Sequence, residues 1–398
     1  MIKNIFINYF QRIWARGLIM YITITFRFYF KRWQIHNYPK MGRRDPVIYV
    51  ANHQNAFLDA FSIIFSQSRQ PIFLVRANIF AAKIARIALR SCNMFPIYRQ
   101  RDGGNTQAKN EKIIQDCIDV LKDGRQPLAI FVEGNHSMMR ALRPIKKGVA
   151  RIAFSALEQS DFKMNLKIIP IGIAYSKHTR ARADLFVNFG NPLLVNEYLE
   201  LYQENPSRAY LQITKDISTE LTKLIVNISD RENYKEIEKA WISQKVTYDN
   251  MIDELHNDQQ IIAQLTKEKQ EGKDLKVLER QKKKKSVIPM ILGFPAFIYG
   301  TLNTLPLYFI MSRLLTKVVT DIHFYGSIKT GGGAIIGGLI YSLQAIGVYA
   351  LTGGNLWIAL FYFVSLPFFG IFAYDHYLKY YTDEPSTTSS ADLLKGYK

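Results

Sequence analysis

Residues 46–59 read Pro-Val-Ile-Tyr-Val-Ala-Asn-His-Gln-Asn-Ala-Phe-Leu-Asp. The first six residues are apolar, β-branched or aromatic, which predicts a buried strand over Pro46–Ala51. Polar residues follow, and apolar residues at helical spacing then predict a helix over Asn55–Ser66. This stretch therefore indicates a strand, a turn and a helix, with a histidine and an aspartate close to the end of the strand.

The same alternation continues to about residue 190. Short apolar segments predict further strands at residues 72–75, 95–98, 128–132, 167–175 and 185–189. Amphipathic segments between them predict helices at residues 79–90, 107–121 and 148–158. Strands that alternate with helices are typical of an α/β fold, so we expect a mixed, largely buried sheet flanked by helices.

Charge and cysteine usage limit the class of protein. The chain has 398 residues, a formal net charge of +19 and two cysteines, Cys92 and Cys117, without CxxC spacing. This cysteine pattern supports neither a zinc site nor a disulfide framework. The sequence contains no zinc-finger, basic-region or aromatic RNA-binding motif. We therefore expect an anionic membrane as the partner of the positive charge, and no nucleic acid.

Apolar residues concentrate at the two ends of the chain. Residues 1–45 are apolar and aromatic with interspersed basic residues, which predicts amphipathic N-terminal helices at a membrane interface. Residues 286–380 are predicted to be transmembrane, because residues 334–351 and 356–374 are each long enough to cross a bilayer. Residues 287–311 contain prolines and glycines, which favour a broken helix or a hairpin. The alternatives are core-packing helices or an oligomer interface.

Basic residues near the ends of these segments predict their orientation. They include four consecutive lysines at residues 282–285 and indicate that these ends are cytoplasmic. The last two segments would then cross out and back, and residues 287–311 would enter and return on the same side. We therefore expect a multi-pass protein that works at the cytoplasmic side of a membrane, with the bacterial inner membrane as its location.

The remaining regions are polar. Helices are predicted at residues 207–228, at residues 236–269 and, after a break at Gly272, at residues 274–284. We interpret residues 231–285 as a charged helical arm or hairpin whose charges face solvent. Residues 381–398 are polar and are predicted to be a disordered tail.

His53 and Asp59 follow the strand predicted at residues 46–51 and form the first candidate site. An alcohol needs a base to remove its proton as it attacks a thioester, and histidine, with a pKa of about 6.5, suits that role. A nearby carboxylate fixes the imidazole tautomer and stabilises the imidazolium. The pair predicts a general base with its orienting partner, and a structural histidine is the alternative.

A second candidate loop follows the strand predicted at residues 128–132 and begins with Glu133 and Gly134. Glycine lets backbone amides approach a ligand closely, and the glutamate could bind an acceptor hydroxyl or brace the loop. Arginine and lysine near strand ends could bind phosphate oxygens, with a solvated face as the alternative. The candidates for that phosphate site are Arg99, Arg140 and Lys146.

Residues 168–172, Ile-Ile-Pro-Ile-Gly, form a further feature, in which proline and glycine favour an edge strand or a bulge. The sequence contains no GxSxG, GxxxxGK[ST], HExxH or GxGxxG motif. The remaining histidines show no metal-ligand spacing. We therefore expect neither a metal site nor a bound cofactor.

In order and spacing, these features resemble four sequence blocks of the glycerolipid acyltransferase family, which contains glycerol-3-phosphate and 1-acylglycerol-3-phosphate acyltransferases. The resemblance covers roughly residues 47–192 and implies an acyltransferase domain over residues 46–230. It implies transfer of a fatty acyl chain from a thioester donor, acyl-CoA or acyl-carrier protein, in phospholipid biosynthesis. The acceptor would be a glycerol-phosphate precursor, glycerol 3-phosphate or lysophosphatidate, and no metal or cofactor would take part.

The resemblance also implies a role for individual residues. His53 would be the general base and Asp59 its partner, with Asn52 shaping the turn. Arg99 matches an arginine of the second block that binds the acceptor phosphate. Residues 169–172 match a block that is associated with the acyl donor.

Glu133 and Gly134 match the third block, which helps to hold the glycerol phosphate, but the residues around them differ. Val132 replaces a proline of the family, and His136 replaces an arginine. Five residues rather than four separate the histidine from the aspartate, as in a fungal-type branch that acylates glycerol 3-phosphate or dihydroxyacetone phosphate. Positive charge for an acceptor phosphate would then come from Arg140, Arg143 or Lys146.

Two alternatives stay open. The altered third block is compatible with a different acceptor, such as a lyso-aminolipid. The missing arginine is also compatible with an inactive lipid-binding membrane scaffold, although the histidine and aspartate of the first block are both present.

Overall fold

A mixed eight-stranded sheet forms the centre of the protein in a computed structural model. The structure describes residues 17, 20–80, 86–87, 89–90, 93–98, 106–279, 285–383 and 385–395. Its strands are β1 Phe30–His36, β2 Val47–Ala51, β3 Ile72–Arg76, β4 Met94–Ile97, β5 Leu128–Phe131, β6 Lys167–Tyr175, β7 Ala183–Phe189 and β8 Leu193–Leu194. Their order is β1-β7-β6-β2-β5-β3-β4, and β8 pairs with β6.

The strands from β6 through β2, β5 and β3 to β4 run parallel, whereas β7 and β8 run antiparallel to β6. Carboxyl ends of neighbouring parallel strands meet at one edge of a sheet, where α/β proteins place their sites. Strand β2 lies between β5 and β6, and all of its residues are buried. Its carboxyl end therefore delivers residues 52–59 to the middle of that edge.

Helices cover both faces of the sheet. They are α1 Ala56–Ile64, α2 Thr106–Asp123, α3 Gly148–Glu158, α4 Leu199–Glu204 and α5 Pro206–Leu224. Successive strand residues point to opposite faces. Val50 packs into a core with α2, α3 and α5, whereas Tyr49 packs into a second core with α1 and the helical residues 20–29. The predicted α/β architecture is confirmed.

The N-terminal region departs from its prediction. Residues 30–36 form β1, which pairs in parallel with β7, and not an interfacial helix. Arg32 of β1 lies 2.8 Å from the Asp184 carboxylate of β7, so its charge is paired within the sheet. Residues 20–29 are helical as predicted, and residues 1–16 lie outside the described part of the chain. So does part of the helix predicted at residues 79–90.

Strand β6 lies inside the sheet, so the expected edge strand or bulge at residues 168–172 is wrong. Pro170 has no N–H, and it lies where the partner of β6 changes from β8 to β7. Gly172 faces the end of α5, where a β-carbon would lie 2.5 Å from the carbonyl oxygen of Leu224. Close packing of α5 on the sheet therefore requires glycine at this position.

Two further helices, α6 Tyr234–Gln244 and α7 Met251–Gln270, form a hairpin that packs on the sheet domain. Their apolar residues share a core with Phe186 of β7 and include the fully enclosed Trp241. Leu255, Ile262 and Leu265 of α7 recur at helical spacing, and all three are buried in this core.

Most charges of the hairpin are exposed, as predicted, but a few are buried between the two helices. Lys245 lies 2.8 Å from Glu254 and also contacts Asp258, and all three side chains are buried. Residues 273–279 are not helical, so the helix predicted at residues 274–284 is wrong in its described part. A hydrogen bond from the Gln244 side chain to the Lys276 carbonyl holds this segment against the end of α6.

The C-terminal region consists of α8 Val287–Leu292, α9 Phe294–Val318, α10 Tyr325–Leu351 and α11 Leu356–Tyr380. By length and composition, Ile322–Leu351 and Leu356–Tyr380 could each cross a membrane, with mean hydropathies of 1.7 and 2.1. Both spans carry large exposed apolar side chains, such as Leu343 and Phe361. This pattern is typical of helices that face lipid.

Helix α9 contains Pro306, which has no N–H for the helix ladder and favours a bend. The first half of α9 runs along α11 in the opposite direction. Gly293 contacts His376 near the end of α11, and Asn303 contacts Tyr362 near its beginning.

The second half of α9 runs back along α10. The Asn303 carbonyl accepts from the Gln344 side chain at 3.0 Å, and Met311 lies beside Gly332, nearer the start of α10. Residues 352–355 join α10 and α11 as antiparallel neighbours, so the start of α10 and the end of α11 lie together, nearest the sheet. Both ends of α9 lie at this same end of the two helices. Residues 287–318 thus form a short helix and one longer helix, and entry and return of this segment on one side of a membrane stays a prediction.

The C-terminal tail is ordered over residues 385–395, which corrects the predicted disorder. The Glu238 carboxylate on α6 accepts from the Ser390 hydroxyl at 2.6 Å and from the Ser390 amide at 3.0 Å. Ser390 is fully buried and begins helix α12 Ser390–Lys395. A polar tail is thus held because its hydroxyls satisfy a buried carboxylate.

Replacing Gly172 by alanine should lower the free energy of unfolding by about 1–3 kcal/mol, because the new β-carbon overlaps the end of α5. Thermal unfolding of the purified protein checks this prediction. The matched control is Gly347→Ala on α10, where nothing lies within 4 Å of the added carbon. An equal effect of both substitutions would contradict the packing argument.

Candidate active site

The turn after β2 is fastened to strand β6. The Asn52 side chain donates to the carbonyl of Ile173 at 2.9 Å and accepts from the amide of Ile173 at 2.8 Å. Asn52 is 1% exposed, so it shapes the turn and offers no surface for a substrate contact. Both ends of its amide are used to hold the turn in place.

Asp59, in the first turn of α1, is fully buried. Its Oδ2 accepts from the amides of Gln54 and Asn55 at 2.7 Å each and lies 2.7 Å from Nδ1 of His53. Its Oδ1 accepts from the Tyr175 hydroxyl at 2.9 Å. Burial, with Asp59 adding to it, raises the pKa of Tyr175 well above its ordinary value, so this hydroxyl remains a donor. Together these groups stabilise a carboxylate charge inside the core.

The turn absorbs the extra residue between the histidine and the aspartate. Ala56 has a φ of +42°, in the left-handed region that alanine rarely adopts. This strained residue lies between the two side chains, which meet despite the longer spacing. The structure thus brings His53 and Asp59 together, and their catalytic roles stay predictions.

The His53 ring stacks on Phe131 of β5, with centroids 4.1 Å and planes 10° apart. Because Nδ1 faces Asp59, a proton on Nδ1 leaves Nε2 as the free base. His53 also lines a cavity of about 430 Å³. The ring is therefore fixed on two sides and accessible to a ligand in the cavity.

Glu133 braces the site from the adjacent strand. Its Oε1 accepts from the His53 amide at 2.7 Å, and its Oε2 accepts from Nε of Arg143 at 2.8 Å. The carboxylate is buried, and both oxygens are used. Of the two predicted roles for Glu133, the geometry supports bracing of the loop rather than binding of an acceptor hydroxyl.

Apolar side chains line most of the cavity, and polar groups gather at one end. The apolar residues come from α1, β3, β4, β5 and α3 and include Ala60, Leu74, Val75, Met94, Ile97, Ile130 and Ile152. The polar end contains His53, Gly134 and Lys146, together with Gly148 at the start of α3. A helix N-terminus and a lysine at the same place favour an anion.

Gly134 and Lys146 lie beside each other, as their predicted role in one site requires. Gly134 has a φ of +72°, and a β-carbon on it would lie 3.5 Å from Cγ of Lys146. Lys146 is exposed, and its amide donates to the Val132 carbonyl at 2.9 Å. Arg99, the other predicted phosphate ligand, lies outside the described part of the chain.

Arg140 does not reach the cavity, and the prediction that it binds substrate is wrong. It is 4% exposed, and its Nη1 lies 2.9 Å from the Glu238 carboxylate. Its Nη2 donates to the Tyr175 carbonyl at 3.3 Å. Burial alone would raise the pKa of Glu238, but the Arg140 charge and the Ser390 hydrogen bonds outweigh it and lower that pKa. Arg140 is a structural cation that ties the hairpin to the sheet.

The C-terminal region supplies residues that the sequence analysis missed. Asp321 and Phe324, in the turn before α10, line the same cavity as His53. Oδ2 of Asp321 lies 3.3 Å from Nε2 of His136. Burial, with His53 and His323 adding to it, lowers the pKa of His136 to about 4. Nothing in the sequence indicated this contact, since 185 positions separate its two residues.

Comparison with known proteins shows what the sheet domain is similar to. Residues 32–174 match the protein-family model described as Acyltransferase. This segment contains the paired histidine and aspartate, the glutamate brace and all but one residue of strand β6. This part of the chain is therefore similar to the acyltransferase family.

Named relatives add detail. The chain is 29% identical over 132 residues to glycerol-3-phosphate O-acyltransferase 2 of Saccharomyces cerevisiae. This alignment covers 33% of this chain and 18% of the yeast protein. The chain is also 25% identical over 210 residues to the 1-acyl-sn-glycerol-3-phosphate acyltransferase of Streptococcus pneumoniae. That alignment covers 52% of this chain and 71% of the Streptococcus enzyme. The crystal structure of the acyltransferase PlsC from Thermotoga maritima aligns over 52% of this chain and 80% of that one, with 14% identity and a TM-score of 0.38.

Substitution of Arg140 by alanine should cost about 3–5 kcal/mol of stability, because it leaves the Glu238 carboxylate buried without its cation. Denaturant unfolding measures the loss. The control is Arg208→Ala, which breaks an ion pair between Arg208 and Glu204. These two side chains are 64% and 68% exposed, so the free energy of unfolding should change little. Equal losses in the two variants would contradict the structural role of Arg140.

Proposed function

We propose that the protein is a membrane-bound O-acyltransferase that transfers a fatty acyl chain from a thioester to a hydroxyl of glycerol 3-phosphate or lysophosphatidate. The observation that carries this proposal is the His53–Asp59 pair at the polar end of an otherwise apolar cavity. The names of the yeast and Streptococcus relatives support the substrate class. Because the chain spans 18% of that yeast protein, the activity of the whole protein is part of the proposal.

His53 acts as the general base. Asp59 holds the proton on Nδ1, so Nε2 takes the proton of the acceptor hydroxyl as its oxygen bonds to the thioester carbonyl carbon. The carbon–sulfur bond then breaks, and the imidazolium returns its proton to the leaving thiolate. Asp59 stabilises the imidazolium that exists between these steps.

The cavity separates the two parts of the reaction. Its apolar walls, between α1, α3 and the ends of β3 to β5, suit an acyl chain. Its polar end suits the acceptor phosphate, since Lys146 and the N-terminus of α3 both attract an anion. The donor is acyl-CoA or acyl-carrier protein, and an assay with each thioester identifies it.

The C-terminal helices support a position on a membrane. The ends of α10 and α11 that lie nearest the sheet carry Lys329 and Lys379, as expected of cytoplasmic ends. Arg182, in the turn before β7, lies 2.8 Å from Asp375 of α11, so the sheet domain is tied to this end of the helices. We propose further that the active site lies at the cytoplasmic side of a multi-pass protein, with the bacterial inner membrane as the expected location.

One observation favours a second acceptor class. Asp321 adds a carboxylate to the polar end of the cavity, and a carboxylate attracts an ammonium group. An acceptor such as a lyso-aminolipid would place its amine there. A panel that contains glycerol 3-phosphate, lysophosphatidate and a lyso-aminolipid distinguishes the two classes.

Replacing His53 by alanine should lower acyl transfer by roughly 100-fold or more, because the hydroxyl then loses its base. Transfer of a labelled acyl chain by protein in native-like lipid measures the effect. His256→Ala, an exposed histidine on α7, is the control and should retain activity. Undiminished transfer by His53→Ala would reject His53 as the base, and wild-type protein without transfer to any acceptor would favour the scaffold alternative.

Removal of the Lys146 charge should raise the KM for the phosphorylated acceptor by roughly tenfold with a smaller change in kcat, because a charged hydrogen bond to the phosphate is lost. Steady-state kinetics of Lys146→Ala and of Lys147→Ala, its exposed neighbour, make the comparison. A similar rise in both variants would show that only the general positive charge matters.

A further inference from the structure

Three side chains that could ligate a metal meet beside the proposed base. His136 follows the glutamate loop, whereas Asp321 and His323 precede α10. Each offers one ligand atom, and these three atoms all lie within 4.8 Å of one another. The His136 ring centroid is 5.5 Å from that of His53, so the cluster borders the proposed reaction centre.

One pair of donor atoms has the spacing of two ligands on a tetrahedral metal ion. Metal–nitrogen and metal–oxygen bonds of about 2.0–2.1 Å place two tetrahedral ligands roughly 3.3 Å apart. Nε2 of His136 and Oδ2 of Asp321 are separated by 3.3 Å. Oδ1 of Asp321 accepts from the His323 amide at 3.0 Å and also lies 2.6 Å from Nδ1 of His323, so Oδ2 is the oxygen that remains for an ion.

A further ligand of an ion held by this cluster would come from the cavity. His136 and Asp321 both line the cavity that contains His53. Three protein ligands with a fourth position open are typical of zinc ions that bind a substrate or water. Two imidazoles and one carboxylate are donors that first-row transition metals prefer over magnesium or calcium.

Charge at the polar end of the cavity gives such an ion a purpose. An acceptor phosphate bound near Lys146 would meet the Asp321 carboxylate, and like charges repel. A divalent cation between them reverses that repulsion, because it attracts the carboxylate and the phosphate together.

We propose that His136, Asp321 and His323 bind one divalent transition-metal ion of the zinc class, which holds a phosphate oxygen of the acceptor beside His53. The role of the ion in holding the acceptor rests on the function proposed above. The binding of the ion does not, since it follows from the three side chains alone. This proposal replaces the expectation of a metal-free site.

Direct metal binding tests the site without any enzyme assay. The full-length protein, purified in detergent without a histidine tag and stripped with a chelator, is titrated with Zn²⁺ by calorimetry. It is also titrated with Co²⁺, whose visible absorption reports tetrahedral coordination. We expect one ion per chain. Absence of binding, or Co²⁺ without tetrahedral absorption, would overturn the site.

Matched variants locate the ion. His136→Gln and Asp321→Asn should each weaken binding roughly tenfold or more. Asparagine keeps the oxygen that accepts from the His323 amide, so the turn before α10 is preserved. The control is His256→Gln on α7, which should bind as the wild type does. Unchanged binding in the first two variants would overturn the assignment, and thermal unfolding verifies that each variant is folded.

Acyl transfer then tests the role of the ion. Removal of the ion should raise the KM for glycerol 3-phosphate or lysophosphatidate more than the KM for an acceptor without phosphate. Addition of Zn²⁺ should restore the lower KM for the phosphorylated acceptor. Transfer that does not depend on the ion would overturn the phosphate role and leave the proposed function intact. Metal-loaded protein that binds one ion but acylates no acceptor would overturn the proposed function together with that role.

Discussion

A fully buried carboxylate organises the edge of the sheet that carries the candidate site. Asp59 is fully enclosed, and burial of an unpaired charge costs several kcal/mol. Two turn amides, the Tyr175 hydroxyl and the His53 imidazole offset that cost. Since these groups come from the turn after β2 and from the end of β6, the carboxylate fixes how strand, turn and helix meet. The strain at Ala56 is tolerated because this network over-determines the turn.

The neighbouring strands hold this arrangement from both sides. Asn52 is bound to Ile173 on β6, and the His53 amide is bound to Glu133 at the end of β5. These contacts exist because β5, β2 and β6 are adjacent and parallel, which places their carboxyl ends together. Sequence segments that lie 80 or more residues apart thereby form one site. The site is a product of the strand order as much as of its motifs.

Local patterns in the sequence predicted the parts of the fold that depend on local physics. Strand β2, helix α1 and the meeting of His53 with Asp59 follow from apolar runs and from a spacing of a few residues. Arg140 could not be predicted in this way, because its burial depends on Glu238, 98 positions away. The sequence predicts a disordered tail for a similar reason. Its serines are polar, and Ser390 becomes buried only against the Glu238 carboxylate. Strand β1 resembled an interfacial helix because its pairing with β7 is not visible in its composition.

The C-terminal helices show the same limit of local sequence patterns. They also contribute to the candidate site of the sheet domain. Their apolar sequence indicated an anchor, yet Ser327 at the start of α10 accepts from the Leu58 amide of α1 at 3.2 Å. This contact seats the turn that carries Asp321 over the cavity, next to His136. The family match ends at residue 174, so His53 and Asp59 lie inside the matched region while Asp321 lies outside it. The candidate site is therefore built from two parts of the chain, and only one of them is similar to the known acyltransferases.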